Sequence, residues 1–363
     1  MQQHLPMFYT FPSIRGIQAG REYYITMCPL KLIPRIFLFD EEDIDPTVRS
    51  QRVLNKARVP EIAEYLINNC KDYVFSAITA SIDGLVDFVP LSDDPVNYNI
   101  GIIKVPMTSK IVINDGQHRR AAIEAALKKK PELGDETISV VFFLDEGLRR
   151  SQQMFADLNR YAIRPSGSLN ILYDYRDPVA EIARQLSYEL DLFDGLTEME
   201  KTTISNRSTK LFTLSGLYRA TNELINNKID KPYEELKEIS FKYWAVVGKH
   251  IKEWNSVKEG VVKASELRKD YINAHAITLV ALGKVGYCLL DEFPDTWEKE
   301  LEKLQLVEWY RGNKYWEGRV TVGGKISFSR NNLILLTSAL KKVLGIPLST
   351  EEQEAERSLQ SSN

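Results

Sequence analysis

Lys110-Ile111-Val112-Ile113-Asn114-Asp115-Gly116-Gln117-His118-Arg119-Arg120 decides how this chain begins to fold. Its first four residues form an apolar run suited to a short buried strand. A polar, glycine-bearing turn follows, and then Ala122, Ile123, Ala126 and Leu127 recur at helical spacing. Asp115 to Arg119 therefore sit where a strand hands over to a helix. Such a junction turns the first backbone N–H groups of the helix outward, a favourable place for an anion. One carboxylate, one imidazole and two guanidiniums gather at this point: Asp115, His118, Arg119 and Arg120.

Outward from this turn the pattern is mixed. Residues 21–27 and 36–39 are rich in aromatic and β-branched side chains and predict strands. Pro60 opens a predicted helix over 61–69. Residues 73–82 and 85–89 read as strands around Asp83-Gly84, a hairpin signal. Beyond the central helix, 138–144 is a nearly continuous apolar strand, and 149–159 a helix with Met154, Phe155 and Leu158 inward. From about residue 170 helical patterns dominate, over 178–192, 211–226, 233–257 and 274–293. Residues 320–328, with Gly323-Gly324 at the centre, predict a hairpin, and 331–344 a last helix. The class is α+β: a mixed domain over 1–170, a mainly helical domain over 171–348, and a disordered acidic, serine-bearing tail over 349–363.

With 363 residues and 44% hydrophobic content, the chain can bury two or three cores. A formal charge of -3 excludes a protein coated in positive charge but leaves room for a local basic patch. Its three cysteines, Cys28, Cys70 and Cys288, lie far apart with no Cys-x-x-Cys pair, which suits a reducing cytoplasm and argues against a zinc site. Cys28 reads as a small buried residue, with a reactive or DNA-contacting thiol as the alternative. Neither a signal pattern nor a membrane-length apolar run is present, so a cytoplasmic protein without membrane partners is expected.

Three basic stretches could hold phosphate. On a helix, Arg49, Arg52 and Lys56 would share a face, with Arg58 close by; a solvated helix face is the alternative. Thr202-Thr203-Ile204-Ser205-Asn206-Arg207-Ser208-Thr209-Lys210 could wrap a phosphate backbone, or could serve as a capping loop with Ser208 or Thr209 as the cap. Trp309-Tyr310-Arg311-Gly312-Asn313-Lys314-Tyr315-Trp316-Glu317-Gly318-Arg319 interleaves aromatics with cations, as base-stacking surfaces do, although buried aromatics beside solvated charges give the same pattern.

Familiar catalytic templates are absent: no phosphate loop of the G-x-x-x-x-G-K-[ST] type, no H-E-x-x-H and no G-x-S-x-G. Of the four histidines only His118 lies in a charged turn. There Arg119 and Arg120 could hold phosphate bidentately, Gly116 would let a ligand approach the backbone, Asp115 could bind a metal or accept a proton, and His118 could do acid–base work. The other reading is an ion-paired turn in which Asp115 caps the helix.

Ile113 to Arg119 resembles the signature of the DGQHR-domain proteins. Phe155-Ala156-Asp157-Leu158-Asn159-Arg160 with Leu169, and Arg52-Val53-Leu54-Asn55-Lys56-Ala57-Arg58-Val59 with Ile62 and Tyr65-Leu66, fit the same group. Over residues 5–348 the chain is similar to the DndB family of the bacterial DNA phosphorothioation system. The resemblance implies a DNA-binding negative regulator of the modification operon, with promoter DNA and the phosphorothioation enzymes as partners. It further implies a ParB/sulfiredoxin-like N-terminal domain whose turn contacts phosphate through Gly116, Gln117, His118 and Arg119, joined by Arg120, with Asp115 as polar anchor or metal ligand. Candidate DNA contacts in the second half are Arg207, Lys210, Arg311, Lys314 and Arg319. Two alternatives stay open: a nucleotide-hydrolysing or DNA-nicking enzyme that uses Asp115 and His118 with a nucleotide and Mg²⁺, and a scaffold for the modification enzymes. The chain departs from the related patterns in lacking a helix-turn-helix signature and a His-Asn-His nuclease module. A homodimer is expected if the operator is two-fold symmetric.

Overall fold

The computed structural model describes residues 7–37, 54–144, 153–154, 156–158, 165–228 and 230–362. The chain forms two compact units, Met1–Ile163 and Arg164–Asn363, and each closes its own apolar core.

The first unit is built on a mixed sheet. Its strands are β1 (Phe8–Gln18), β2 (Arg21–Pro29), β3 (Ile78–Asp83), β4 (Asp87–Pro90), β5 (Ile100–Pro106), β6 (Lys110–Asp115) and β7 (Thr137–Leu144). They lie in the order β4-β5-β1-β2-β7-β3-β6, antiparallel throughout except for the parallel pair β3–β7. β1 and β2 join through Ala19 and Gly20, both at positive φ, the two-residue turn that matches strand twist. Side chains alternate along the strands, so Phe11, Tyr24, Cys28, Ile103, Val105, Ile138, Val140 and Phe142 are buried. The described helices of the unit include α1 (Ile33–Ile36), α2 (Val59–Asn68, Pro60 in its first turn) and α3 (Gln117–Lys129), and residues 153–154 and 156–158 are helical as well. Ala63 and Leu66 of α2, and Ala122, Ile123 and Ala126 of α3, join the strand residues in one core.

Two expectations for this unit fail. Asp83-Gly84 does not turn a hairpin: β4 is one edge of the sheet, and β3 lies inside it near the other edge, with four strands between them. β3 is buried along Ile78–Ile82 because β6 and β7 flank it on both sides, which leaves no edge for β4. Ile36 closes the helical turn α1 rather than opening a strand. Of the predicted basic helix, Arg49 and Arg52 lie outside the described residues, and Lys56–Arg58 form a 3₁₀ turn. The motif Phe155 to Arg160 is only partly described; within it Leu158 is exposed rather than inward, while nearby Met154 is buried.

The second unit is helical: α4 (Gly167–Tyr173), α5 (Pro178–Glu189), α6 (Leu214–Ile225), α7 (Tyr233–His250), α8 (Lys252–Lys258), α9 (Ala264–Asp270), α10 (Ala276–Glu292), α11 (Trp297–Leu301), α12 (Arg330–Leu344) and α13 (Thr350–Ser362). Asp177 caps α5 by accepting from the Val179 and Ala180 N–H groups, and Pro178 opens it. The cap of α6 is Thr213, whose Oγ1 accepts the Gly216 N–H; Ser208 and Thr209 are not the cap, and Ser208 Oγ accepts from Lys210 N instead. α6 and α10 cross closely because Gly283 has no side chain: a Cβ there would lie 2.0 Å from the Ala220 carbonyl oxygen. Trp244, Trp254 and Trp309 are among the largest side chains in the core. The predicted hairpin forms as β8 (Thr321–Val322) and β9 (Lys325–Ile326), turned by Gly323 and Gly324 at positive φ.

The stretch after Ser349 is not a disordered tail. It forms α13, and its acidic residues are the reason. Glu352 pairs with Lys341 at 2.9 Å, and Glu356 accepts from both Arg319 and Lys342 and from Ser338. Residues that look like solvated charge in the sequence are buried against α12. No helix among the described residues is long and apolar enough to cross a membrane.

Candidate functional site

The Asp115–Arg119 turn leaves the end strand of the first unit's sheet. β6 pairs with β3 through a bulge, since Thr79 faces Asp115 and Ala80 faces Ile113, so Asn114 is the extra residue. A bulge re-aims the side chain it carries, and Asn114 is 1% exposed. Its Oδ1 accepts from Ser81 Oγ at 2.7 Å, while its Nδ2 has no partner. Gly116 then takes φ +106 at the N-cap of α3, where no side chain caps the helix. The first intrahelical bond runs from Arg120 N to Gly116 O at 2.9 Å.

Gln117 is 5% exposed and its Nε2 is buried without an acceptor. Arg119 folds back over Gly116, so that a Cβ on the glycine would meet Arg119 Nη2 at 3.1 Å. Nη2 donates to Ala77 O and to Asp115 Oδ2, each at 2.9 Å, but the buried Nε has no acceptor. Three buried N–H donors within six residues thus lack partners among the described residues. Each costs about 1–3 kcal/mol when left unmade, and native proteins leave few such groups. They lie beside a helix start that no side chain caps.

The remaining residues of the turn have other tasks. Arg120, grouped with the phosphate contacts in the sequence, is buried and structural: Nε donates to Phe37 O at 3.0 Å, Nη2 to Pro34 O at 3.1 Å, and Nη1 to Glu124. It fastens the chain after β2 to α3 and does not face a ligand. His118 Nε2 accepts the Asn55 N–H at 3.2 Å. Asp115 is held by Arg119, and among the described residues no three His, Cys, Asp or Glu side chains come together as a metal centre. The donors fit an anion; they do not fit a metal ion.

The chain matches the DndB family, described as DNA-sulfur modification-associated, over residues 11–347. The chain belongs to this family. No curated protein and no solved structure matches it. Membership of the DndB family ties the chain to the DNA sulfur modification system.

The basic stretches of this DndB-family chain separate on inspection. Arg207 and Lys314 are exposed and in no ion pair among the described residues. Lys210 Nζ donates to Gly195 O at 2.7 Å, and Arg311 Nε donates to Gly324 O at 2.9 Å, bracing the hairpin. Arg319 is 7% exposed and forms a two-pronged pair with Glu356, 2.8 Å on one side; it leaves the set of DNA-contact candidates, because both terminal nitrogens are engaged inside the unit. Trp309 and Trp316 are buried with their rings 6.5 Å apart and nearly parallel, so they cannot stack bases. Tyr310 and Tyr315 remain exposed. Cys28 is fully buried, and burial pushes its thiol up to about 12, which makes it inert. Sequence reasoning passed over Asn114 as a buried donor, because a bulge leaves no mark in residue type. It also passed over Arg268, Lys269 and His275, which face one cavity with Arg311.

Proposed function

We propose that this protein is a DNA-binding negative regulator of DNA sulfur modification, and that it seats a phosphate of the DNA backbone in the Asp115–Arg119 turn. The observation that carries the reading is the set of buried donors without acceptors among the described residues: Asn114 Nδ2, Gln117 Nε2 and Arg119 Nε. A phosphate supplies oxygen acceptors and a negative charge, and the start of α3 favours both. Gly116 has no Cβ, which leaves room for Arg119 to fold back over the turn and present its guanidinium there. Asp115 orients Arg119 in this scheme and takes no part in chemistry.

The turn positions the protein on DNA without reading sequence, since backbone contacts carry no base information. Arg207, Lys210 and Lys314, with Tyr310 and Tyr315, supply further contacts from the second unit. The natural targets are the promoter of the modification operon and, by protein contact, the modification enzymes. A homodimer would match a two-fold operator.

Fluorescence anisotropy with promoter and random duplexes over a salt series tests the reading. Promoter DNA should bind more tightly than random DNA. Arg119→Ala should weaken both by roughly tenfold or more, the worth of hydrogen bonds to a charged group. It should also reduce the slope of log K against log salt by about one. Equal affinity for promoter and random DNA would remove the regulator reading. An unchanged salt slope in Arg119→Ala would remove the turn from the DNA interface.

A further inference from the structure

The second unit holds a cavity of about 770 Å³ that the DNA-binding reading does not use. Its size is that of a small-molecule site. Its lining is of two kinds. Thr202, Thr203, Ser265 and Thr213 bring hydroxyls, and Arg268, Lys269 and Arg311 bring positive charge. Against them stand Phe212, Ile277, Leu279, Ile326 and Phe328.

Positive charge outnumbers negative in this lining. Glu266 is the one carboxylate in the lining. Among the described residues, Arg268, Lys269 and Arg311 form no ion pair. Arg268 spends its guanidinium on the carbonyls of Ser205, Ser208 and Lys210, which holds the 205–210 loop to α9. Arg311 binds Gly324 O and Lys269 O, which fixes the hairpin beside it. Both cations are thereby placed rigidly without being neutralised. His275, packed at the same wall with Nε2 on Arg268 O at 2.9 Å, feels the consequence. Burial lowers its pKa, the hydrogen bond to Arg268 O opposes this, and the neighbouring Arg311 and Arg268 lower it further. Carbonyl oxygens partly screen a guanidinium, but only an anion cancels its charge.

We infer that this cavity binds a free nucleotide, with its phosphates on Arg311, Lys269 and the Thr202–Thr203 hydroxyls and its base on the Phe328–Ile326 side. The phosphate chemistry follows from the cations and hydroxyls. The flat, apolar part follows from the aromatic and aliphatic wall, and in particular from Phe328, a large aromatic side chain left 46% exposed. A bare inorganic anion would use one kind of lining and leave the other wet. The cavity is lined by residues of the second unit, the Asp115–Arg119 turn belongs to the first, and the inference rests on no part of the DNA-binding reading.

The test is competition against a ribose-labelled fluorescent ATP, followed by anisotropy on the full chain. Competitors are unlabelled ATP, ADP, AMP, inorganic phosphate and a short single-stranded oligonucleotide. Lys269 is exposed and in no ion pair, so Lys269→Glu should leave thermal unfolding unchanged while weakening the nucleotide by about tenfold. Ile326→Trp, which fills the apolar wall from a hairpin strand, should weaken it as well. Arg119→Ala should leave nucleotide affinity unchanged. The inference is overturned if no mononucleotide binds at about 1 mM, a very weak limit. It is equally overturned if inorganic phosphate competes as well as AMP, if the oligonucleotide binds and mononucleotides do not, or if Arg119→Ala abolishes binding while Lys269→Glu keeps it.

Discussion

Gln117→Leu separates a binding site from a structural turn more cleanly than loss of an arginine does. Gln117 opens α3 at 5% exposure, and its buried Nε2 has no acceptor among the described residues. Leaving that group unmade costs about 1–3 kcal/mol. Leucine has nearly the same volume and helix propensity and brings no polar atom. The substitution should therefore stabilise the first unit by about 1 kcal/mol, after allowance for imperfect shape. The same change removes a hydrogen bond to bound phosphate, so affinity for DNA should fall by about tenfold. Stability up and binding down is the signature of a group retained for a ligand. All five tryptophans lie between residues 244 and 316, in the second unit, so their fluorescence is blind to this change. Amide hydrogen exchange along Gln117–Lys129 reads it directly, and 1 kcal/mol slows exchange by about fivefold. Faster exchange in Gln117→Leu with unchanged DNA affinity would refute the reasoning, because the glutamine would then be serving the fold.

Two further outcomes concern the second unit. Burial pushes the Glu356 carboxyl up, but hydrogen bonds from Arg319, Lys342 and Ser338 outweigh it and hold the group at about 2. A carboxylate depressed in the folded state contributes stability that is present above its unfolded pKa and lost as pH falls through the folded one. Protease cleavage within α13 should therefore rise between about pH 4.5 and 2, and Glu356→Gln should bring it on at neutral pH. Gly283→Ala would place a methyl 2.0 Å from Ala220 O, so α6 and α10 must separate. Overpacking of this kind costs about 1–3 kcal/mol, and the urea midpoint followed by tryptophan fluorescence should drop accordingly.

Much of the site's local form is legible in residues 110–129. An apolar run, a glycine and a helical repeat are local signals, and local backbone preferences write them into the sequence directly. The same holds for Gly323-Gly324, whose positive φ no other residue adopts as readily. Reading fails where the deciding partner is far away in the chain. Asp83-Gly84 looks like a hairpin turn, yet β3 is already flanked by β6 and β7, one of which arrives more than fifty residues later. Arg319 and Arg119 are the same residue type in similarly charged surroundings. One is neutralised by Glu356 from a stretch that looks like a tail, and the other keeps a donor open.

By itself, then, the sequence determines a strand-to-helix turn rich in donors, a mixed first half, a helical second half and a likeness to proteins of DNA sulfur modification. Tertiary structure alone decides which donors are already spent. Arg120 is taken up by the carbonyls of Pro34 and Phe37, and Trp309 and Trp316 by the core. Asn114, Gln117 and Arg119 are buried with donors left over. The physical reason is that a hydrogen bond or an ion pair is made with whatever packing brings alongside, and packing depends on contacts between residues that lie far apart in the chain.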